Sequence, residues 1–493
     1  MHHLAILGVS TIWVKPLWLL GVGAALGLTV ALLITGLIWI VSRRTATWMI
    51  GTMRDGPLLP VVYLIVALAG FVLLTSPSME VSRLWNSVRR VMAVGTIQMA
   101  VEVPAEKTDQ PIELALRADE LTECIIRAEQ DVTITTKPGV DPLADLITVE
   151  GGEPYLWNTH SGLRPPFRSM VDRLYITNAS DVSTNVEISV TTDVEFPEVY
   201  VVPATAAAVC GLLLVYLLTH ALFRKLSTIA DATAKETTLQ PIYYLVLVVG
   251  GFALLAFIYV PYNTLGEDVK MLKDSGMTLI LVLSMMVALW TASVSIAEEL
   301  EGRTALTLLS KPISRQQFII GKFLGIIWSV VVLFILLGFL FLVTVSYKIV
   351  YDAKELASTD PSWRICYREM ISTVPGLLLA WMETVVLTAI SVAVSTRLPM
   401  LPNLIICCSV YVLGHLGPMI VNSGAGKFEI VGFIGRLIAT LLPVLDDFNI
   451  QAAIAAGAAV PLPYLGWAFA YCVLYSTIAL LLALAMFEDR DLA

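Results

Sequence analysis

The sequence predicts an α-helical polytopic membrane protein with about nine transmembrane helices and one inserted external β-rich domain. Three observations carry that fold class. The 493 residues are 57% hydrophobic and only 14% charged, with mean hydropathy +0.80, whereas soluble domains carry about 25% charged residues. Leu17–Val41 runs twenty-five residues without a charge, and about twenty suffice to cross a bilayer core. Between Glu80 and Tyr200 such runs vanish and short stretches of strand-like alternation replace them.

Length and charge exclusion place the spans in order. The N-terminus lacks the short apolar core and small-residue cleavage site of a signal peptide, so the first run is read as a retained helix. The spans are Leu17–Val41, Leu58–Thr75, Val201–Phe223, Pro241–Tyr262, Met277–Ala297, Phe323–Val345, Val374–Val394, Met400–Val421 and Leu465–Met486. Trp13, Trp18, Tyr243, Tyr244, Tyr259 and Tyr262 sit at span ends, where amphipathic rings meet the lipid headgroups. In the insertion, Thr96–Val103, Asp131–Thr136 and Asn185–Thr191 alternate with period two. Lys137-Pro138-Gly139 and Gly151-Gly152 supply turns between them. A small β-sandwich is the expectation. Phe428–Leu445 is apolar but carries Glu429 and Arg436. With Gln451–Val460 it reads either as a hairpin re-entering the membrane or as an amphipathic surface helix.

Basic residues in short loops set the orientation. One side collects Arg43, Arg44, Arg54, Arg224, Lys225, Lys235, Arg303, Lys311, Arg315, Lys322, Arg397 and Arg490. The other holds fewer over a longer total length, among them Lys273, Lys348, Arg364 and Arg368. The expected topology is a multi-pass protein of the cell (inner) membrane, with the N-terminus and residues 80–200 outside and the C-terminus cytoplasmic.

Several functions find no support in the residues. The net charge of −9 includes no basic domain for nucleic acid. Six cysteines and five histidines show no metal-ligand spacing and no HExxH. Gly424-Ala-Gly-Lys-Phe428 misses the phosphate-loop pattern, because its first glycine is out of place and Phe428 stands where Ser or Thr would hold magnesium. No catalytic residue, cofactor or metal is expected. Cys124 and Cys366 both fall outside in this topology, and pairing them would need a proximity that sequence does not show.

The most informative stretch joins the fifth and sixth spans. Glu298, Glu299, Glu301 and Arg303 flank Ala305, Leu306, Leu308 and Leu309, which give a short helix an apolar side. Lys311-Pro312 stops it, because proline disfavours helix at the preceding residue. Ser314 and Gln317 have capping-box spacing, so a second helix restarts there and enters the membrane. The result is a short helix against the cytoplasmic face, shaped to dock into a soluble partner. The plain alternative is an amphipathic connector.

The string Glu301-Gly-Arg-Thr-Ala-Leu-Thr-Leu-Leu-Ser-Lys-Pro-Ile-Ser-Arg315, followed by Gly321-Lys322, resembles the signature loop of type-2 ABC exporter permeases. Phe487-Glu-Asp-Arg-Asp-Leu492 resembles that family's ending. The resemblance implies a six-helix core over 241–493 with a cytoplasmic coupling loop at 298–322. It also implies a partnership with two copies of a cytoplasmic ABC ATPase subunit and with a second or related permease. Glu298, Glu301, Gly302, Arg303, Thr304, Leu308, Leu309, Pro312 and Arg315 are the expected coupling residues. Residues 1–79 then hold two added helices, 80–200 the external domain, and 201–240 a third helix and a cytoplasmic linker.

Glu383 interrupts an apolar helix near its middle. A carboxylate there is costly and faces protein interior or water. It reads as a residue of the substrate path or as a protonated or hydrogen-bonded packing residue. His220 and His415, near helix ends, read as interfacial. A function from another class stays open beside the exporter permease: a membrane-anchored sensor or scaffold presenting the external domain.

Overall fold

The computed structural model describes residues 11–79, 81–91, 93–139, 146–159, 161, 164–167, 170–260, 262, 267–299, 314–422, 433 and 442–488. The chain forms two compact units, Met1–Ser78 with Ala204–Ala493, and Met79–Pro203.

The helical unit opens with α1 (Val14–Val41), α2 (Arg43–Arg54) and α3 (Leu59–Thr75). Ser42 breaks α1 from α2 and its hydroxyl accepts the Thr45 amide, capping the amphipathic α2. The chain returns through α5 (Val201–Leu222), α6 (Arg224–Leu239) and α7 (Pro241–Phe257). Proline at the first position of α7 forces Gln240 to an extended conformation, and α6 and α7 meet at a 62° bend. Then follow α8 (Asp268–Ala292), a wider π-turn over Ser293–Glu298, and α9 (Arg315–Glu355). The bundle ends with α10 (Trp363–Ile371), α11 (Val374–Ser395), α12 (Met400–Asn422), α13 (Gln451–Ala455) and α14 (Leu462–Glu488).

Seven of these helical segments are long and apolar enough to cross a membrane, and the bent α6–α7 pair makes an eighth. Within α12, Met400–Leu416 is a shorter apolar helix at the position of the eighth expected span. The main difference from the sequence reading is length. At 41 residues α9 extends roughly 60 Å, about twice a bilayer core, where a helix restarting at Ser314 with a span over Phe323–Val345 was expected. Its polar ends continue the helix because the box at Ser314 and Gln317 caps the start. The centre of the bundle is α8, α9 and α11, largely buried, while α1, α3 and α14 expose rows of leucine such as Leu33, Leu74 and Leu462. Exposed leucine is what a lipid-facing helix requires.

The second unit holds α4 (Val81–Arg90) and eight strands: β1 (Thr96–Val103), β2 (Gln110–Leu116), β3 (Leu121–Ala128), β4 (Val132–Thr135), β5 (Leu146–Val149), β6 (Tyr155–Asn158), β7 (Val171–Asn178) and β8 (Thr184–Thr192). They form two antiparallel four-stranded sheets, β1-β8-β3-β6 and β2-β7-β4-β5. Alternate residues turn inward: Val186, Ile188 and Val190 from β8, Cys124 and Ile126 from β3, Ile112 and Leu114 from β2. Period-two patterning of this kind buries one face of each sheet against the other.

Candidate functional site

The expected coupling segment lies between α8 and α9. Glu301, Gly302, Arg303, Thr304, Leu308, Leu309 and Pro312 fall outside the described residues, as does the 424–428 near-miss. Glu298 closes the π-turn. What the structure describes is how both ends of the segment are held. On the entering side, Glu299 accepts a hydrogen bond from the Lys322 ammonium at 2.6 Å. Lys322 is only 4% exposed, lies 5.7 Å over the Phe318 ring and 3.9 Å from Glu236 of α6. On the leaving side, Arg315 donates to the carbonyls of Phe487 and Glu488 at 3.3 and 2.8 Å. Those carbonyls end α14, where unpaired acceptors and the helix dipole favour a cation. Phe318 stacks on Phe487 at 6.0 Å beneath the guanidinium.

Helix α6 braces this end of α9. Its inward stripe is small: Ser227, Ala230, Thr233, Ala234 and Thr237. A Cβ on Gly325 would lie 2.5 Å from the Ala230 carbonyl oxygen, and one on Gly321 would lie 2.8 Å from Ile229 Cβ. The two glycines thus allow backbone-close packing, the small-residue mode that membrane helices favour. His220 of α5 joins the brace, with Nε2 2.7 Å from Asp231 of α6 and Nδ1 2.8 Å from the Tyr216 carbonyl. His220 is buried where α5 meets α6, bonded to its own helix and to Asp231.

A polar hub ties the π-turn to the next hairpin. The Asn403 amide donates to the hydroxyls of Ser293, Ser391 and Ser395 at 2.7, 2.8 and 2.9 Å, and its oxygen accepts from the Cys407 thiol at 3.3 Å. Sequence reading passed over Asn403, whose only signal is an amide just inside an apolar helix. Deeper in the bundle lies Glu383, fully buried, with His415 Nε2 3.4 Å from its Oε1. His415 of α12 thus faces α11. At the ends of α8 and α9 away from the loop, two further basic residues are interior. Lys273 bonds Glu369 and the Ser372 hydroxyl, and Lys348 bonds Asp352 at 2.9 Å and the Ile258 carbonyl at 2.9 Å. They were expected as exposed loop charges; each is buried because it finds an acid on a neighbouring turn or helix. Cys124 and Cys366 are both free thiols.

A family model described as ABC-2 family transporter protein matches residues 227–492. The chain belongs to that family. It is a multi-pass membrane protein and the transport component of an ABC system, not itself the catalyst, in a family that partners with an ABC ATPase. No curated protein matches it. The match starts within α6, while α1–α5 and the strands precede it.

Proposed function

We propose that this permease is the membrane half of an ATP-driven exporter whose hydrolysis occurs on a separate cytoplasmic subunit. The observation that carries the reading is the double anchorage of the family-matched segment between α8 and α9. Its entry is fixed by Glu299–Lys322 and its exit by Arg315 on α14. A docking segment held at both ends passes displacement into two membrane helices; a loose connector does not. Glu298, Glu301, Gly302, Arg303, Thr304, Leu308, Leu309 and Pro312 supply the docking surface, and Arg315 its hinge on the bundle. The working assembly is two ATPase copies on two permease copies, or on this chain and a related permease. Its test is co-purification of an ABC ATPase with the full chain, and a chain that never retains one contradicts it.

The C-terminus is cytoplasmic and the strand-rich residues 80–200 lie outside the inner membrane. The basic-residue asymmetry supports that orientation. Single cysteines at the exposed positions Ser183 and Thr228 test it with an impermeant reagent: Ser183→Cys labels in spheroplasts and Thr228→Cys does not, and the reverse pattern rejects it. Glu383 belongs to the substrate path. Glu383→Gln then lowers transport per folded molecule, and an unchanged rate removes it from the path.

A further inference from the structure

We propose that Glu383 and His415 form a proton-binding site inside the membrane-spanning core, with one proton held between the two side chains. At about 1.5 Å per residue, Glu383 lies roughly 13 Å along α11 and His415 roughly 22 Å along α12. Both therefore sit within the thickness of a bilayer core.

The tautomer follows from hydrogen bonding. His415 Nδ1 lies 3.0 Å from the Tyr411 carbonyl, which can only accept, so Nδ1 carries hydrogen. In the neutral ring Nε2 is then a bare lone pair, and it is this nitrogen that stands 3.4 Å from Glu383 Oε1. Among the described residues, neither carboxyl oxygen of Glu383 has a hydrogen-bond partner, and the side chain has no exposure. An ionised carboxylate facing a lone pair in that setting is unbalanced twice over. One proton resolves both defects, as a neutral acid aimed at the imidazole nitrogen. A carboxylate–imidazolium pair would desolvate two charges with no further hydrogen bonds to either carboxyl oxygen, so the neutral form is preferred. A second proton would leave an imidazolium without a counter-charge. The site holds one proton and resists both its loss and a second addition.

Among the described residues, buried neighbours do not supply that charge balance. Among the described residues, the titratable groups on elements packed against the pair are Tyr411, whose ring lies 4.6 Å from His415, Cys472 of α14, whose thiol donates to the Met382 carbonyl at 3.4 Å, and Asp446 and Asp447 of a short turn packed on both α11 and α12. The phenol and the thiol are neutral at ordinary pH, and the two aspartates are exposed at the surface. Lys273 of α8 and Lys348 of α9 are engaged with Glu369 and Asp352. His415 keeps 17% of its side chain exposed while Glu383 has none, so the imidazole is the accessible member of the pair. Because the pair joins α11 to α12, parting of those helices admits water to Glu383 and releases the proton. That consequence rests on the exporter reading; the resting proton does not.

Infrared spectroscopy of the full chain in lipid nanodiscs tests the site. At neutral pH the wild type should show a carbonyl-stretch band of a protonated, buried carboxylic acid. Glu383→Gln should abolish it, and His415→Gln should keep it but shift it, because an amide replaces the imidazole nitrogen that the acid faces. Should Glu383→Gln fail to fold, Glu383→Asp should move the band. Absence of the band at neutral pH, its survival in Glu383→Gln, or its indifference to His415→Gln would each overturn the assignment. Loss of ATPase docking should leave the resting band in place, so the two readings fail separately.

Discussion

Replacing Gly325 by alanine should loosen the bundle, whereas the same change at Gly338 on the same helix should tighten it. The Gly325 Cβ would stand 2.5 Å from the Ala230 carbonyl oxygen and 2.6 Å from Thr233 Cβ, against 3.4 Å or more for ordinary contact. Backbone cannot swing aside, so α6 must withdraw by nearly 1 Å along the face it shares with α9. Overpacking of that kind costs about 1–3 kcal/mol. Removing a helical glycine returns roughly 0.5–1 kcal/mol. The net expectation for Gly325→Ala is a loss of up to about 2.5 kcal/mol. At Gly338 the nearest atom is Leu377 Cδ1 at 3.4 Å, an ordinary contact, so only the favourable helix term remains. Midpoints of thermal unfolding in detergent, compared for the two variants, read the difference. If Gly325→Ala is as stabilising as Gly338→Ala, α6 does not pack against α9 at this point and the brace is wrong.

Two further outcomes follow from the same structure. Lys322→Met removes the ammonium paired with Glu299 in a largely buried setting and should destabilise the permease, by less than the about 3–5 kcal/mol of a fully buried pair because Glu299 keeps some exposure. Adding Glu299→Gln should recover part of that loss, and a double variant no better than the single would deny the pairing. Burial pushes the Cys124 thiol up to about 12 in the strand-rich unit. Its thiolate is then scarce at pH 8, so maleimide should modify Cys124 only once that unit unfolds, and rapid labelling of the native protein would contradict its place in the core.

The spanning helices were legible because lipid demands length and apolarity, two properties that a single sequence displays directly. The strands were legible from period two, as in Asn185–Thr191, whose alternate residues enter the sandwich core. Helix α6 was not. Its packing stripe of Ser227, Ala230, Thr233, Ala234 and Thr237 is small rather than hydrophobic, so it read as linker although its spacing is helical. The capping box at Ser314 announced the start of α9, yet the full length of α9 was hidden because polar end-turns look like loop. Glu383 stood out as a charge in an apolar run. Its partner His415 did not, since pairing across α11 and α12 depends on how two helices rotate against each other. Lys273 and Lys348 misled for the same reason: a lysine near a span end looks solvated until its acid partner is placed beside it.

The central claim is that the segment between α8 and α9 docks the ATPase. Apolar anchors dominate interface energy and rim charges contribute less. Leu308→Asp and Leu309→Asp would each bury an uncompensated carboxylate in the contact, whereas Arg303→Ala would trim its edge. Quantitative capture of the ABC ATPase by purified permease, with hydrolysis followed in the reconstituted complex, compares the three. Both aspartate variants should lose most of the captured ATPase while Arg303→Ala retains most of it. If both aspartate variants bind and stimulate the ATPase as the wild type does, the segment is only a connector and the exporter account loses its mechanism.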